Sequence, residues 1–398
     1  MIALVAALLV VQGSPPLDQL KWLVRHQRED GAWSGGPVGC ECAKDQPTGK
    51  AAERDPAVEK KALLLLEALK SDESAVSDKT VEDLVAIGPA VEPILRQALR
   101  TAESPANLLI SGALKRVVQA RVPGDVETTS LALLAMLGAG YSHLSKDAHE
   151  GRLMGDVVKN GLKWLMSRQR PSGLIGEEVA GGVGPGHVLA TLVLAESYAL
   201  TGTRLFKQPG LNALDYVVSR QRKSGAFGPG RDDAATTAWF VLVCHSAKLA
   251  EFEVSKEVTA SLVKWLDANS GKGRDIEAAS YVMARSLLVK DVAGLAEFAE
   301  RLSTLAIANA EPLQRATSAL ALLHHEGVTG ERWLKWRKSA LPEWRKLEKE
   351  GCERGSCAGS GPAARLTSLN VIALEGLYVY SNVLGSPKTR DWPPPWPK

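Results

Sequence analysis

Charge of one sign is what this 398-residue sequence lacks first: 48 lysines and arginines nearly cancel 45 aspartates and glutamates, leaving a net +3. With no basic stripe interleaved with aromatics, that balance offers no footprint for nucleic acid or for an anionic membrane. Most cations fall opposite leucines and read as solvated helix faces. The sequence also lacks a later apolar run long enough to cross a bilayer, because charges at helical spacing cut every one, so no transmembrane span is expected. Aromatic residues make up only 5%. There are five cysteines, and their CxC and CxxxxC spacings are irregular for a zinc site. No metal or cofactor is expected.

What the sequence does have is a recurring unit. LKWLVRHQREDGAW from Leu20 returns as LKWLMSRQRPSGLIG from Leu162 and as LDYVVSRQRKSGAFG from Leu214. Each is an apolar helix, then a glutamine (Gln27, Gln169, Gln221), then a glycine four residues on (Gly31, Gly173, Gly225). A unit repeated in this way is structural.

In chain order, residues 1–14 form an apolar stretch closed by small residues and Pro15-Pro16. It resembles an export signal with cleavage after Gly13, although basic residues do not precede it. An exported protein, periplasmic or extracellular, is expected. Leu17 to Gln27 reads as the first helix, and residues 17–35 as that helix with its turn. Residues 36–122 change texture: a Gly/Pro-rich linker, an amphipathic helix from Ala57 to Lys70, then LVAIGPAVEPILRQAL and a second alanine-leucine helix. This is the pattern of a HEAT-like helical hairpin, and it reads as an insertion.

From Asp125 the chain alternates. More polar helices carrying Trp164, Tyr216, LVKWLDAN, LAEFAERL and RWLKWRKSALPEW each lead through a turn into a nearly all-apolar partner. Helices apolar all round are buried, and those with one polar face lie outside. Counting the first helix, six such pairs over residues 17–35 and 123–382 predict an all-α fold, an (α/α)6 toroid of six helical hairpins with an inserted HEAT-like segment. An open solenoid is the rival, but it would need a distinct C-terminal capping repeat. Residues 383–398 form a Pro-rich tail.

These units, with "LALLAMLGAGYSH", "GHVLATLVLAESYALTG" and "DDAATTAWFVLVCHSAKLA", resemble the prenyltransferase and squalene-oxidase repeat proteins, the terpenoid cyclase-like α/α toroids. Within that superfamily they are most like uncharacterised exported repeat proteins of planctomycete-type bacteria. The resemblance implies that each glutamine clamps one helix end to the start of the next. Only Gln27 with Trp33 is a complete glutamine-tryptophan unit; Ile175 and Phe227 stand where the other two would have tryptophan. It also implies sites that this sequence mostly does not supply. The cyclases' acid is a DxDD element in an aromatic-lined cavity, and the nearest match is Asp232-Asp233, which reads equally as a helix N-cap. The prenyltransferases hold zinc with Asp, Cys and His, whereas Cys244 and His245 point about 100° apart on a helix. Gly351-Cys352-Glu353 departs from the thioester proteins' GCGEQ after its first cysteine.

If the apolar helices all start at one mouth, its rim collects Asp125, Glu127, His187, Asp232, Asp233, Asp275, Glu277, Arg315 and Arg365. Asp232, Asp233, His187 and Glu277 are the candidate catalytic groups, and Glu127, His187, Trp239, Tyr281 and Arg315 the candidate ligand contacts. Each also has a structural reading, as a cap, a solvated helix end or core. In a closed ring the first and last loops are neighbours, which makes Cys40, Cys42, Cys352 and Cys357 candidates for disulfides; a four-cysteine zinc site and free thiols are the alternatives. Two functions follow. One is an exported binding or scaffold module, with an unknown ligand in the central cavity or a protein partner on the HEAT-like insertion. The other is an enzyme of the cyclase and prenyltransferase class, or a polysaccharide-active (α/α)6 enzyme using carboxylates at the mouth.

Overall fold

Six segments bury most of their length, and they become helices that pack on one another in sequence. The computed structural model describes residues 15–35, 56–70, 79–81, 83–84, 87, 91–100, 106–119, 124–229, 233–269, 276–288, 295–304, 312–327, 330–347, 355–357 and 361–378. In chain order its helices are α1 (Pro15–Arg25), α2 (Pro56–Lys70), α3 (Glu92–Leu99), α4 (Ala106–Gln119), α5 (Asp125–Gly138), α6 (Met154–Ser167), α7 (Pro185–Thr201), α8 (Lys207–Ser219), α9 (Ala234–Leu249), α10 (Lys256–Asn269), α11 (Ile276–Leu288), α12 (Ala296–Ser303), α13 (Pro312–Glu326), α14 (Glu331–Leu347) and α15 (Ala363–Tyr378). A hairpin of β1 (Ala148–His149) and β2 (Arg152–Leu153) is the strand structure among the described residues. The protein is all-α, and no described helix is long and apolar enough to cross a membrane.

Contacts divide the chain into two units, Cys42–Pro123 and the rest. In the smaller unit α2, α3 and α4 pack together around Ala62, Leu66, Leu84, Leu95, Ile110 and Ala113.

In the larger unit α5, α7, α9, α11, α13 and α15 each pack on the next, and α15 packs on α5. The more amphipathic helices lie against them: α1 on α15 and α5, α6 on α5, α8 on α7, α10 on α11, and α12 and α14 on α13. The first helix starts two residues before the expected Leu17 and stops short of Gln27, which leaves that side chain free to work in the turn.

The turns place the helices. Gln27 Nε2 donates to Gly31 O (2.9 Å) and to Val157 O in the first turn of α6 (2.8 Å). Gln169 Nε2 does the same with Gly173 O (3.2 Å) and Pro209 O in α8 (2.9 Å), and Gln221 Nε2 with Gly225 O (2.9 Å) and Val258 O in α10 (3.1 Å). One side-chain amide therefore holds its own turn and the start of the following outer helix. Gly31, Gly173 and Gly225 have φ of +94°, +91° and +96°. A methyl group on them would collide with the backbone carbonyls of Asn160, Asn212 and Ser261. Glycine is required twice over, by the left-handed backbone and by the close approach.

A fourth turn has the same geometry without the glutamine. Gly355, at φ +92°, sits over the carbonyl of Asp18 and beside Trp22 on α1. Residue 351, where the glutamine would fall, is glycine, so the sequence motif alone does not reveal this unit. It ties the last turn to the first helix, and Asn370 Nδ2 of α15 adds a buried bond to Gln19 Oε1 of α1 (3.1 Å).

The first clamp has extra support from the hairpin, whose register pairs Ala148 with Leu153 and His149 with Arg152. Glu150 and Gly151 at its tip both have positive φ, as a two-residue type I′ turn demands. Arg152 then reaches Val24 O (2.7 Å) at the open end of α1 and Gln27 Oε1 (2.6 Å). It caps a helix carbonyl and orients the clamping amide at once.

Glycine-to-alanine variants separate the two requirements. Gly202 also has a positive φ but open space around it, so Gly202→Ala is expected to lower stability by about 1–2 kcal/mol. Gly173→Ala adds the collision with Asn212 and is expected to cost about 3 kcal/mol or more. Urea denaturation midpoints of the two variants measure the difference.

Candidate functional site

The amide two residues past each clamp glycine donates to the inner helix that follows. Trp33 N reaches Thr129 Oγ1, Ile175 N reaches His187 Nδ1, Phe227 N reaches Thr237 Oγ1 and Cys357 N reaches Thr367 Oγ1, each at 3.0 Å. His187 thus stands where three other inner helices carry threonine. Its Nε2–H donates to Ala213 O (3.1 Å), which fixes the tautomer, and its ring meets Tyr216 edge-on at 4.9 Å. Both nitrogens are used and the ring is buried. Burial pushes its pKa down to about 4, against the smaller opposing effects of its two backbone bonds. The expectation that His187 offers a ligand contact or a proton is therefore corrected: the ring is neutral, enclosed and engaged in joining a turn to α8.

Because these four positions face the turns, helical phase puts the residues two and five later on the opposite face. These are Leu131 and Leu134, Leu189 and Leu192, Trp239 and Leu242, and Leu369 and Ile372, all at most 3% exposed. Trp239 is part of this packed face, and its indole N–H has no acceptor. Tyr281 is buried, and its ring lies 5.5 Å from that of Trp265 on α10.

Glu127 and Arg365 lie two residues before Thr129 and Thr367, and Asp125 and Asp233 four before Thr129 and Thr237. Arg365 Nε donates to Glu127 Oε1 (2.8 Å) across the contact of α15 with α5. Asp125, buried at the start of α5, accepts from Gly35 N (2.7 Å) and from Arg28 Nη1 (2.7 Å). Arg28 also grips Asp30 (2.6 Å). Burial works against the Arg28 charge, but the bonds and charges of Asp30 and Asp125 outweigh it and hold its pKa above the ordinary value. Asp233 caps α9, its Oδ1 accepting from Thr236 N (2.6 Å). Arg315 is buried on α13, and Glu277 is exposed on the first turn of α11. The structure therefore joins Glu127 to Arg365 and Asp125 to Arg28, but it gives Asp233 a capping role. Arg28 was missed at the sequence level; its recurrence as Gln-Arg in all three glutamine-bearing clamps, with Arg170 and Arg222, was the available signal.

Asp232, Asp275, Cys40, Cys42 and Cys352 lie outside the described residues. Cys357 is buried and takes the place that Trp33, Ile175 and Phe227 hold in the other turns. Burial pushes the Cys244 thiol up to about 12, so it is a thiol and not a thiolate at neutral pH. Among the described residues no group of three or more His, Cys, Asp or Glu side chains is placed to hold a metal ion. In comparisons with known proteins, no family model matches the chain and no curated protein matches it.

A depressed histidine pKa has a definite sign in stability. Between pH 6.5 and 4 the unfolded chain binds a proton at His187 that the folded chain refuses, so stability present above pH 6.5 is lost as pH falls toward 4. The loss from this residue is about 3 kcal/mol. His143, His149 and His325 are also depressed, chiefly by burial, and act in the same direction. The difference between wild type and His187→Thr isolates the one residue. His187→Thr is expected to keep the bond to Ile175 N and to flatten the acid loss by about 3 kcal/mol, read from denaturation at a series of pH values. His187→Ala leaves that amide unpaired and is expected to cost about 1–3 kcal/mol more than His187→Thr at pH 8.

Proposed function

We propose that the chain is an exported binding or scaffold module built as an (α/α)6 toroid of the prenyltransferase and squalene-oxidase repeat kind, with a HEAT-like insertion. The observation that carries this reading is the cyclic order of contacts, α5 through α15 and back to α5, with the Gly355 turn seated on α1. An open solenoid has no reason to bring its last turn onto its first helix.

The binding role is favoured over catalysis in the centre by the packed inner face. Leu131, Leu134, Leu189, Leu192, Trp239 and Leu242 are all buried there, at most 3% exposed. Asp233, the described member of the Asp-Asp pair, spends an oxygen on the α9 amide, and His187 spends both nitrogens on backbone. A partner would then meet outer surfaces. In the inserted unit Leu63 and Leu64 of α2 are exposed (47% and 64%), which suits a protein partner there.

Thermal unfolding and turnover in the presence of farnesyl diphosphate, squalene and oligosaccharides test this reading. No shift in Tm and no product are expected from any of them. A ligand present at a hundred times its Kd would stabilise a true site by about 2.7 kcal/mol. A shift of that kind accompanied by product would select the enzymatic alternative, with Glu127 and Glu277 as the first carboxylates to replace.

A further inference from the structure

The connection from α5 to α6 is fastened at two histidines. His143 Nε2 lies 3.1 Å from Thr203 Oγ1 on the passage from α7 to α8, and its ring meets Phe206 there edge-on at 4.9 Å. Its other nitrogen, Nδ1, is buried with no partner among the described residues. Further along, His149 Nε2 lies 2.9 Å from the Tyr141 hydroxyl. Tyr141 is buried, and burial with the Asp147 charge pushes its pKa up to about 12, so it stays a phenol. His149 stands on the hairpin, opposite Arg152. The hairpin in turn holds α1: Arg152 takes Val24 O and Gln27 Oε1, and Glu150 pairs with Arg25 (3.2 Å). The connection thus joins the first clamp to the α7–α8 passage.

Both fastenings suit a neutral imidazole and not its conjugate acid. A protonated ring carries hydrogens on both nitrogens. At His143 that leaves an N–H at Nδ1 enclosed without an acceptor, and Nε2 can no longer accept from Thr203. At His149 it removes an acceptor from the Tyr141 hydroxyl. The charged side chains of the elements packed around His143 are Lys146 and Asp147 on the connection itself, Asp156 and Lys159 on α6, and Arg204 and Lys207 on the α7–α8 passage. Burial first, and then Lys159, hold its pKa below the ordinary value. At His149 burial and Lys21 of α1 push the same way and outweigh the opposing charges of Asp147 and Glu150. An opened connection carries ordinary histidines, titrating near about 6.5. It binds protons that the closed one refuses, so closure is favoured above that pH and weakens as pH falls below it.

We propose that His143 and His149 make this connection an acid-opened fastening: protonation of the two rings frees residues 142–153 from the α7–α8 passage and loosens the hairpin's hold on α1 and the first clamp. Local opening needs a segment with little backbone structure of its own. This one has two strands of two residues each and is otherwise held by side-chain bonds. The inference goes beyond the scaffold reading and does not depend on the closed ring.

The test is amide hydrogen exchange of the full-length chain, read by mass spectrometry at pH 8 and at about pH 5 and corrected for the intrinsic pH dependence of exchange. Peptides within residues 142–153 are expected to exchange several-fold faster at the lower pH, while those of α7 and α9 change far less. His143→Gln with His149→Gln keeps a neutral donor and acceptor at each position and is expected to abolish the response. Thr203→Val leaves both rings in place and removes the hydroxyl, so it is expected to speed exchange of residues 142–146 already at pH 8. It also keeps the proposal testable if the double variant does not fold. Three results overturn the proposal: no acid response of residues 142–153 in wild type, an undiminished response in the folded double variant, or an equal rise throughout the chain, which would assign the effect to global unfolding through His187.

Discussion

The turns of the first half of the larger unit depend on a side-chain amide that holds two pieces of backbone in register. The clamping glutamine closes its own turn and grips the first turn of the next outer helix, and the glycine four residues on lets that helix come close enough to be gripped. A net hydrogen bond is modest, about 0.5–1.5 kcal/mol. Its value here is geometric: each clamp sets the position of one helix pair relative to the next, so small errors do not accumulate around the ring of contacts. Aromatic residues lie beside three of the turn glycines, Tyr216 at Gly173, Trp265 at Gly225 and Trp22 at Gly355, with His26 stacked on Trp22 and Arg220 over Tyr216.

That framework explains why residues with chemical capacity have so little of it left. His187 is an acceptor for a turn amide, in a role that threonine performs elsewhere. Asp125 fastens Arg28 and Gly35 where the chain enters α5. Glu127 meets Arg365 where the last inner helix reaches the first. Polar groups at the starts of buried helices have backbone amides to satisfy, and satisfying them is a structural task. The buried Glu196, bonded to Ser246 near the other end of α7 and α9, fits the same pattern of polar groups engaged between helices.

The helix pairs were legible because their signals are local. Apolar residues on every face mark an inner helix, and Gln-x-x-x-Gly marks a turn, whatever the rest of the chain does. The three glutamine clamps and the alternation of outer and inner helices follow from such signals. The hairpin at Ala148–Leu153 was not legible, since two-residue strands carry too short a pattern. The unit at Gly355 was hidden because its glutamine is missing and its Cys357 replaces an apolar residue, although its backbone geometry is the same. The rim residues could be named from sequence, but their pairing could not: Arg365 and Glu127 are 238 positions apart.

By itself, then, the sequence determined the all-α class, the alternation of outer and inner helices and the glycine turns between them, because periodicity and left-handed backbone are properties of short segments. Tertiary structure alone decided that α15 returns to α5, that His187 is enclosed, that Tyr281 turns toward Trp265, and that two separate connections are joined at His143. Those outcomes depend on which distant surfaces meet. A helix face states that it must be covered, but the partner that covers it is chosen by packing.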